Sequence, residues 1–279
     1  MNAALLLLVV GTVAAPPRDA EDWRWREAVP ATTTLEINGV LGDITVERSR
    51  DAFVEVVAER VGHAPAASRV SLEVVRSASR VTICALYPTP DYRTKKWRGD
   101  PGPNFCAPAD SGRNNVFDDD VKVHFIVRVP PNVHLVLKTM NGTICGAGLA
   151  NTIIASNVMG NIDLTTSAWA EAASIAGDVA LTMGRTDWKG DRDVRSTSGR
   201  VSVVLPDAAA TSVDAETLSH ARISSDTSIT ARRTAGDAMG RRRARWAYGV
   251  AGRALFVRSM SGAVSVRRQS RTIRSEERE

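Results

Sequence analysis

The chain has 279 residues, of which 43% are hydrophobic and 5% aromatic, with 20 Gly, three Cys and a formal net charge of +5. That length can bury a large core as one elongated domain, and no segment beyond the N-terminus is apolar enough to span a membrane. Helix signals are scarce, which points to an all-β chain.

The first 15 residues, MNAALLLLVVGTVAA, carry an apolar run too short for a bilayer and of the right length for a secretory signal, although no Lys or Arg precedes it. Small residues follow, and cleavage after Ala14 with Thr12 three places before the cut gives a signal peptide over 1–14. The chain is therefore expected to be exported, to the periplasm or the cell surface. Residues 15–31 read as a linker, 32–268 as a β domain with loop excursions at 89–120 and 232–250, and 269–279 as a charged tail.

The domain carries one phrase repeatedly: Gly, any residue, Ile or Val, any residue, apolar. It occurs as GDITV (42–46), GNIDL (160–164), GDVAL (177–181), GRVSV (199–203) and GAVSV (262–266), with degenerate copies in GTICG (142–146) and ARISS (221–225). Gly142, Gly160, Gly177 and Gly199 stand 18, 17 and 22 apart, and the 63 residues from Gly199 to Gly262 have room for three more periods. Apolar residues two apart share one face of a strand, and a glycine before the strand suits a corner: Gly42, Gly142, Gly160, Gly177, Gly199 and Gly262. One such strand cannot bury its face alone, but stacked copies share a core. The expected fold is a β-solenoid with coils of about 20 residues, with a β-sandwich as the alternative because its turns would recur at similar spacing.

Other elements fit that reading. VKVHFIVRV (121–129) alternates, with Val121, Val123, Phe125, Val127 and Val129 on one face, until Pro130 and Pro131 stop it. Cys84 and Cys106 flank a polar, Pro- and Gly-rich stretch that a disulfide would tie down; Cys145, beside inward-facing Ile144, reads as a turn or edge position without chemistry. Residues 222–279 hold 14 Arg and five acids, a net of +9, so the rest of the chain carries −4. Arg232, Arg233, Arg241, Arg242, Arg243 and Arg245 form a candidate surface for anionic cell-envelope polymers. Nucleic acid is disfavoured, since only Trp246 and Tyr248 could supply stacking nearby.

LEINGVLGDITVE, VTICALYP, the step from VRVPPNVHL into KTMNGTI and the Gly-anchored phrases together make the chain similar to the bacterial DUF4097 family, described as candidate adhesins with β-strand repeats, over residues 32–268. The resemblance implies a right-handed β-helix-like fold on an exported protein; it implies no activity and brings no catalytic residue. The chain departs from the pattern at MNGTICG and at AGDAMGRRRARWAYG (235–249).

Catalytic motifs are absent: no GxSxG, HExxH, P-loop or CxxC occurs, and GAGLAN (146–151) lacks the third glycine of a dinucleotide site. His124 and His134 lie among Lys122, Arg128 and Lys138, which repel a metal cation, and Asp118, Asp119 and Asp120 read as a solvated loop. A polysaccharide-cutting β-helix would need carboxylates stacked on adjacent coils. The place after the glycine carries Asp43, Thr143, Asn161, Asp178, Arg200 and Ala263, and the place between the apolars carries Thr45, Cys145, Asp163, Ala180, Ser202 and Ser265, so no acidic column forms. The expectation is a non-enzymatic, adhesin-like or envelope-interaction scaffold without cofactor or metal. The alternatives are a polysaccharide-active enzyme and a periplasmic sensor or accessory component that binds an envelope protein.

Overall fold

The computed structural model describes residues 22–63, 69–91, 102–116, 119–233, 240–250 and 252–269. The expected signal peptide, Asp118 and the tail beyond residue 269 lie outside them. Every regular element among the described residues is a strand, and the strands form two large mixed sheets of ten and eleven. The first holds β1 (Trp23–Glu27), β3 (Ile44–Arg48), β4 (Val54–Val61), β7 (Lys122–Val129), β9 (Ile144–Leu149), β11 (Ile162–Thr166), β13 (Val179–Met183), β15 (Val201–Leu205), β17 (Ile223–Ser225) and β21 (Val264–Arg268). The second holds β2 (Thr34–Asn38), β5 (Ser71–Ser77), β6 (Arg80–Leu86), β8 (His134–Asn141), β10 (Ile153–Met159), β12 (Ala170–Ala176), β14 (Arg192–Ser196), β16 (Thr211–Thr217), β18 (Arg232–Arg233), β19 (Arg242–Tyr248) and β20 (Ala254–Ser259).

From β8 to β15 the chain changes sheet at every corner, and from β10 onward each strand lies parallel to the strand two before it. One strand of each sheet makes a tier. The Gly-anchored phrases fall into a single ladder: Ile44 pairs with Ile144, Ile144 with Ile162, Ile162 with Val179, Val179 with Val201, and Val201 with Val264. The degenerate ARISS joins it, with Ile223 beside Val264. The apolar positions of the phrases all point between the sheets and are buried, facing Leu35, Ile37, Leu135, Leu137, Ile153, Val194, Leu255 and Val257 of the second sheet. Each such Val, Leu or Ile stabilises the fold by ~1.5–3 kcal/mol.

Contact explains the corner glycines better than torsion does. A Cβ on Gly142 would lie 1.9 Å from the Gly42 carbonyl oxygen, one on Gly177 1.8 Å from that of Gly160, one on Gly199 1.9 Å from that of Gly177, and one on Gly262 2.0 Å from that of Gly199. Only Gly fits where one tier rests on the next. Beside the glycines runs a buried row of short polar side chains, each three residues before a phrase. Thr139 donates to the Gly42 carbonyl at 3.0 Å, Asn157 to that of Gly142 at 3.1 Å, Ser196 to that of Gly177 at 2.8 Å and Ser259 to that of Gly199 at 2.7 Å. Carbonyls crowded into the corner are thereby satisfied without water.

The two ends are woven rather than simply stacked. The tier β2/β3 lies between β6/β7 and β8/β9, although β6 and β7 come later in the chain than β3. At the other end β20/β21 lies between β14/β15 and β16/β17. Three of the four sheet edges end in antiparallel strands, β4 on β7 with β1 on β4, β5 on β6, and β19 on β16 with β18 on β19, while the fourth, β17, runs parallel to β21.

Three sequence expectations are corrected here. The 63 residues between Gly199 and Gly262 do not hold three more periods, because β15 and β21 are direct neighbours and a single tier, β16/β17, stacks beyond them. The excursion at 232–250 contains strands: Ala244 and Tyr248 of β19 are buried while Arg243 and Arg245 face out, an ordinary strand alternation hidden by charge. The linker at 15–31 contains β1, whose Trp23 and Trp25 pack against the core.

Cys84 and Cys106 form a disulfide, with Cα atoms 5.9 Å apart, that closes a span of 22 residues. On loop entropy the bond contributes about 3 kcal/mol. Reduction is expected to lower the denaturation midpoint accordingly and to expose amides of 102–116 to hydrogen exchange before those of β9 to β15, which mass spectrometry of the exchanging protein would read directly.

Candidate functional site

The described part of the first excursion, residues 102–116, lies over β2, β6 and β8 of the second sheet. Its own backbone makes a small closed loop, with Phe105 and Arg113 bonded N–H to carbonyl in both directions. Asn104, buried, donates to the carbonyls of Tyr87 at 3.0 Å and Asn115 at 2.8 Å. The strongest anchor is Glu36 of β2, whose side chain is fully buried. It accepts from Lys138 Nζ at 2.7 Å, Arg80 Nη1 at 2.9 Å, Thr82 Oγ1 at 3.2 Å and the Ala109 backbone N–H at 3.1 Å. Burial alone would raise the Glu36 pKa; the Lys138 ammonium, the Ala109 N–H and Arg80 outweigh it and hold the carboxyl below its ordinary range. Lys138 also meets Asp110 at 2.6 Å, so it ties the sheet to the loop twice.

Between loop and sheet is a pocket of about 350 Å³. Val40, Phe105 and Met140 give it an apolar wall, and Asn38, Asp110, Arg113, Asn114 and Lys138 its polar groups. The Arg113 guanidinium stands 5.8 Å from the centre of the Phe105 ring and reaches the Pro103 carbonyl at 3.5 Å; among the described residues it has no carboxylate partner.

Of the six candidate arginines, the structure brings Arg243 and Arg245 together on Asp214 of β16. Arg243 grips both oxygens of that carboxylate, with Nε to Oδ1 at 2.7 Å, and Arg245 Nε reaches Oδ2 at 2.9 Å. Burial would raise the Asp214 pKa, and the two guanidiniums hold it low instead. Arg241 Nε lies 3.3 Å from Glu216. Arg242 points to the other face of β19, its Nε buried without a hydrogen-bond partner. Arg232 is exposed on β18, which Arg233 completes. The run is thus in large part a cross-strand clamp on β16, because antiparallel pairing sets Arg243 opposite Glu216 and Arg245 opposite Asp214.

The remaining sequence candidates separate. His124 is on β7 of the first sheet and His134 on β8 of the second, so they do not converge. Cys145 lies half-buried on the outward face of β9, with its Sγ 3.6 Å from the Thr45 hydroxyl. Asp163 has Cys145 and Ala180 on its two sides, so no second carboxylate stacks on it. The acids after the glycines join tiers: Asp43 accepts from the Thr143 N–H at 2.7 Å, and Asp178 from the Arg200 N–H at 2.7 Å, with Asn161 doing the same for Asp178 at 2.9 Å.

Sequence reasoning missed an apolar row on the outward side of the second sheet. The register that sets Asn157 beside Thr139 and Ser174 brings Val158 beside Met140 and Ile175 one place on. These three, with Met260 two tiers further and Met159 alongside, are left in solvent. The signal was present as MN, VM, IA and MS between the polar position and the glycine of four phrases, with TS in the phrase that opens on Gly199.

The fold defines an all-β protein of two facing mixed sheets. No family model and no curated protein matches the chain. Among solved structures it is similar to a candidate cell adhesion protein from Clostridium sporogenes, at 10% identity and a TM-score of 0.40 over 89% of this chain and 100% of that one. It is also similar to a candidate adhesin from Bacteroides fragilis, at 9% identity and a TM-score of 0.30 over 89% and 97%. A third, a candidate lipid-binding protein from Parabacteroides distasonis, has 9% identity and a TM-score of 0.21 over 89% and 97%. Likenesses this distant assign no family.

Proposed function

We propose that the chain is an exported, non-enzymatic β-solenoid that serves as an adhesin-like or cell-envelope interaction scaffold in the periplasm or on the cell surface. Residues 1–14 are its export signal, and the domain that follows works as one unit. The observation that carries this reading is the shared ladder from Ile44 through Val264, which stacks the corner phrases in register and lays out two long faces. A repeated row of outward side chains gives such a face many equivalent contacts at ~4.8 Å intervals. The disulfide supports an oxidising compartment.

The test is sedimentation of purified mature protein with isolated cell envelopes. Saturable co-sedimentation is expected, weakening as salt rises past physiological strength, where the screening length is ~8 Å. Release of new reducing ends from envelope polysaccharide would replace this reading with the enzymatic one. Loss of binding after protease treatment of the envelopes would assign the partner as a protein.

A further inference from the structure

We propose that the pocket under the disulfide-tied loop binds a single-chain amphiphile with an anionic head. Three observations converge on that chemistry. The pocket, at about 350 Å³, falls within the ~300–1,000 Å³ of small-molecule sites. Its wall is apolar in a way the fold does not need, since Phe105 and Met140 are 43% and 47% exposed and would be covered by a hydrocarbon chain. Finally, the cations of the pocket are unevenly matched. The Lys138 ammonium is neutralised by Glu36 and Asp110, whereas Arg113, among the described residues, meets only a ring face and a carbonyl. An unmatched guanidinium beside an apolar wall suits a carboxylate or phosphate that carries a hydrocarbon tail.

The outward row of the second sheet extends the site. Met140 belongs both to the pocket and to the row that continues through Val158 to Ile175, 53% exposed, before Thr197 of the next tier interrupts it. Neighbouring tiers are ~4.8 Å apart, so the row forms a track along which a chain longer than the pocket can lie. A flat bilayer has no comparable fit to a pocket roofed by a loop, and the ligand is therefore taken as a monomer. Free fatty acids and lysophospholipids share the required chemistry.

Titration calorimetry of the oxidised full domain tests this, with laurate, lauroyl lysophosphatidylglycerol and uncharged monolaurin, each below its critical micelle concentration. One-to-one binding of at least one anionic ligand is expected, and whichever binds names the source. Arg113→Gln is expected to weaken the anionic ligands about tenfold and to leave monolaurin unchanged, while Met140→Ser weakens all three. Both substitutions fall on solvent-accessible side chains outside the Glu36 network, and far-ultraviolet circular dichroism confirms that each variant is folded. Absence of saturable binding, an Arg113 variant that keeps the wild-type affinity for the anionic ligands, or binding to phosphatidylglycerol vesicles alone would overturn the proposal. Any of these leaves the envelope-contact reading standing, because envelope sedimentation reads that separately.

Discussion

Replacing Gly177 with Ala is expected to abolish the cooperative unfolding transition or to lower stability by about 4 kcal/mol or more, the range reserved for gross steric or network damage. The new methyl carbon would stand 1.8 Å from the Gly160 carbonyl oxygen, which is backbone and cannot swing aside. Relief requires the two tiers to part. That would break the pairing of Ile162 with Val179 and strand the buried Ser174 beside them. Total stability of an ordinary domain is only ~5–15 kcal/mol, so the variant should be recovered aggregated or partly folded. Gly190→Ala is the control, because a Cβ there meets nothing within 4 Å and only the left-handed φ of 72° resists it; its cost is about 1–2 kcal/mol. Denaturant titration of both variants decides the matter. Equal small losses would show that the corner is not a contact between tiers.

The second large effect is at Glu36. Glu36→Gln removes the charge that faces Lys138 and Arg80 while the loop still presses on them, and about 3 kcal/mol should be lost. The acid limb of the stability profile should change as well. Because the folded-state pKa of Glu36 is depressed, its contribution is fully present above the ordinary glutamate value of ~4.3 and is lost as pH falls through the folded value. Asp214 and Asp226 are depressed in the same direction and add to the acid limb of both proteins. The difference between wild type and variant should therefore be constant from neutrality to about pH 5 and shrink below it. A difference that persists unchanged into strong acid would show that Glu36 acts only by shape.

What was legible in the sequence was whatever is local. Gly followed by alternating apolars is a five-residue statement, and the phrases it marks pair in the alignment their glycines suggest. The rows between them were equally readable, so that Thr45, Cys145, Asp163, Ala180, Ser202 and Ser265 do stand side by side. A polar residue three places before most phrases, as in Asn157, Ser174, Ser196 and Ser259, was in view too, but its purpose depends on a carbonyl in another tier. The Arg-rich strand was read as loop because charge masked the period of two in Ala244, Trp246 and Tyr248, and its carboxylate partners lie about thirty residues away, 29 for Arg243 and 31 for Arg245. The pocket was illegible for the same reason: Phe105, Asn38 and Met140 meet only after three distant segments have docked.

The weaving of the two ends sets a limit on how such a molecule can be made and altered. A stack wound strictly in chain order could begin as soon as its first strands were available and could gain or lose units at either end. Here the earliest tier is closed on both sides only after β6 to β9 exist, and the last strands of the domain must slot inside a tier that precedes them. Completion therefore waits for the final residues of the domain, so neither end of the stack is finished while the rest of the chain is unfolded. Lengthening in evolution is confined to the interior run from β8 to β15, where a tier can be duplicated without unpicking either clasp.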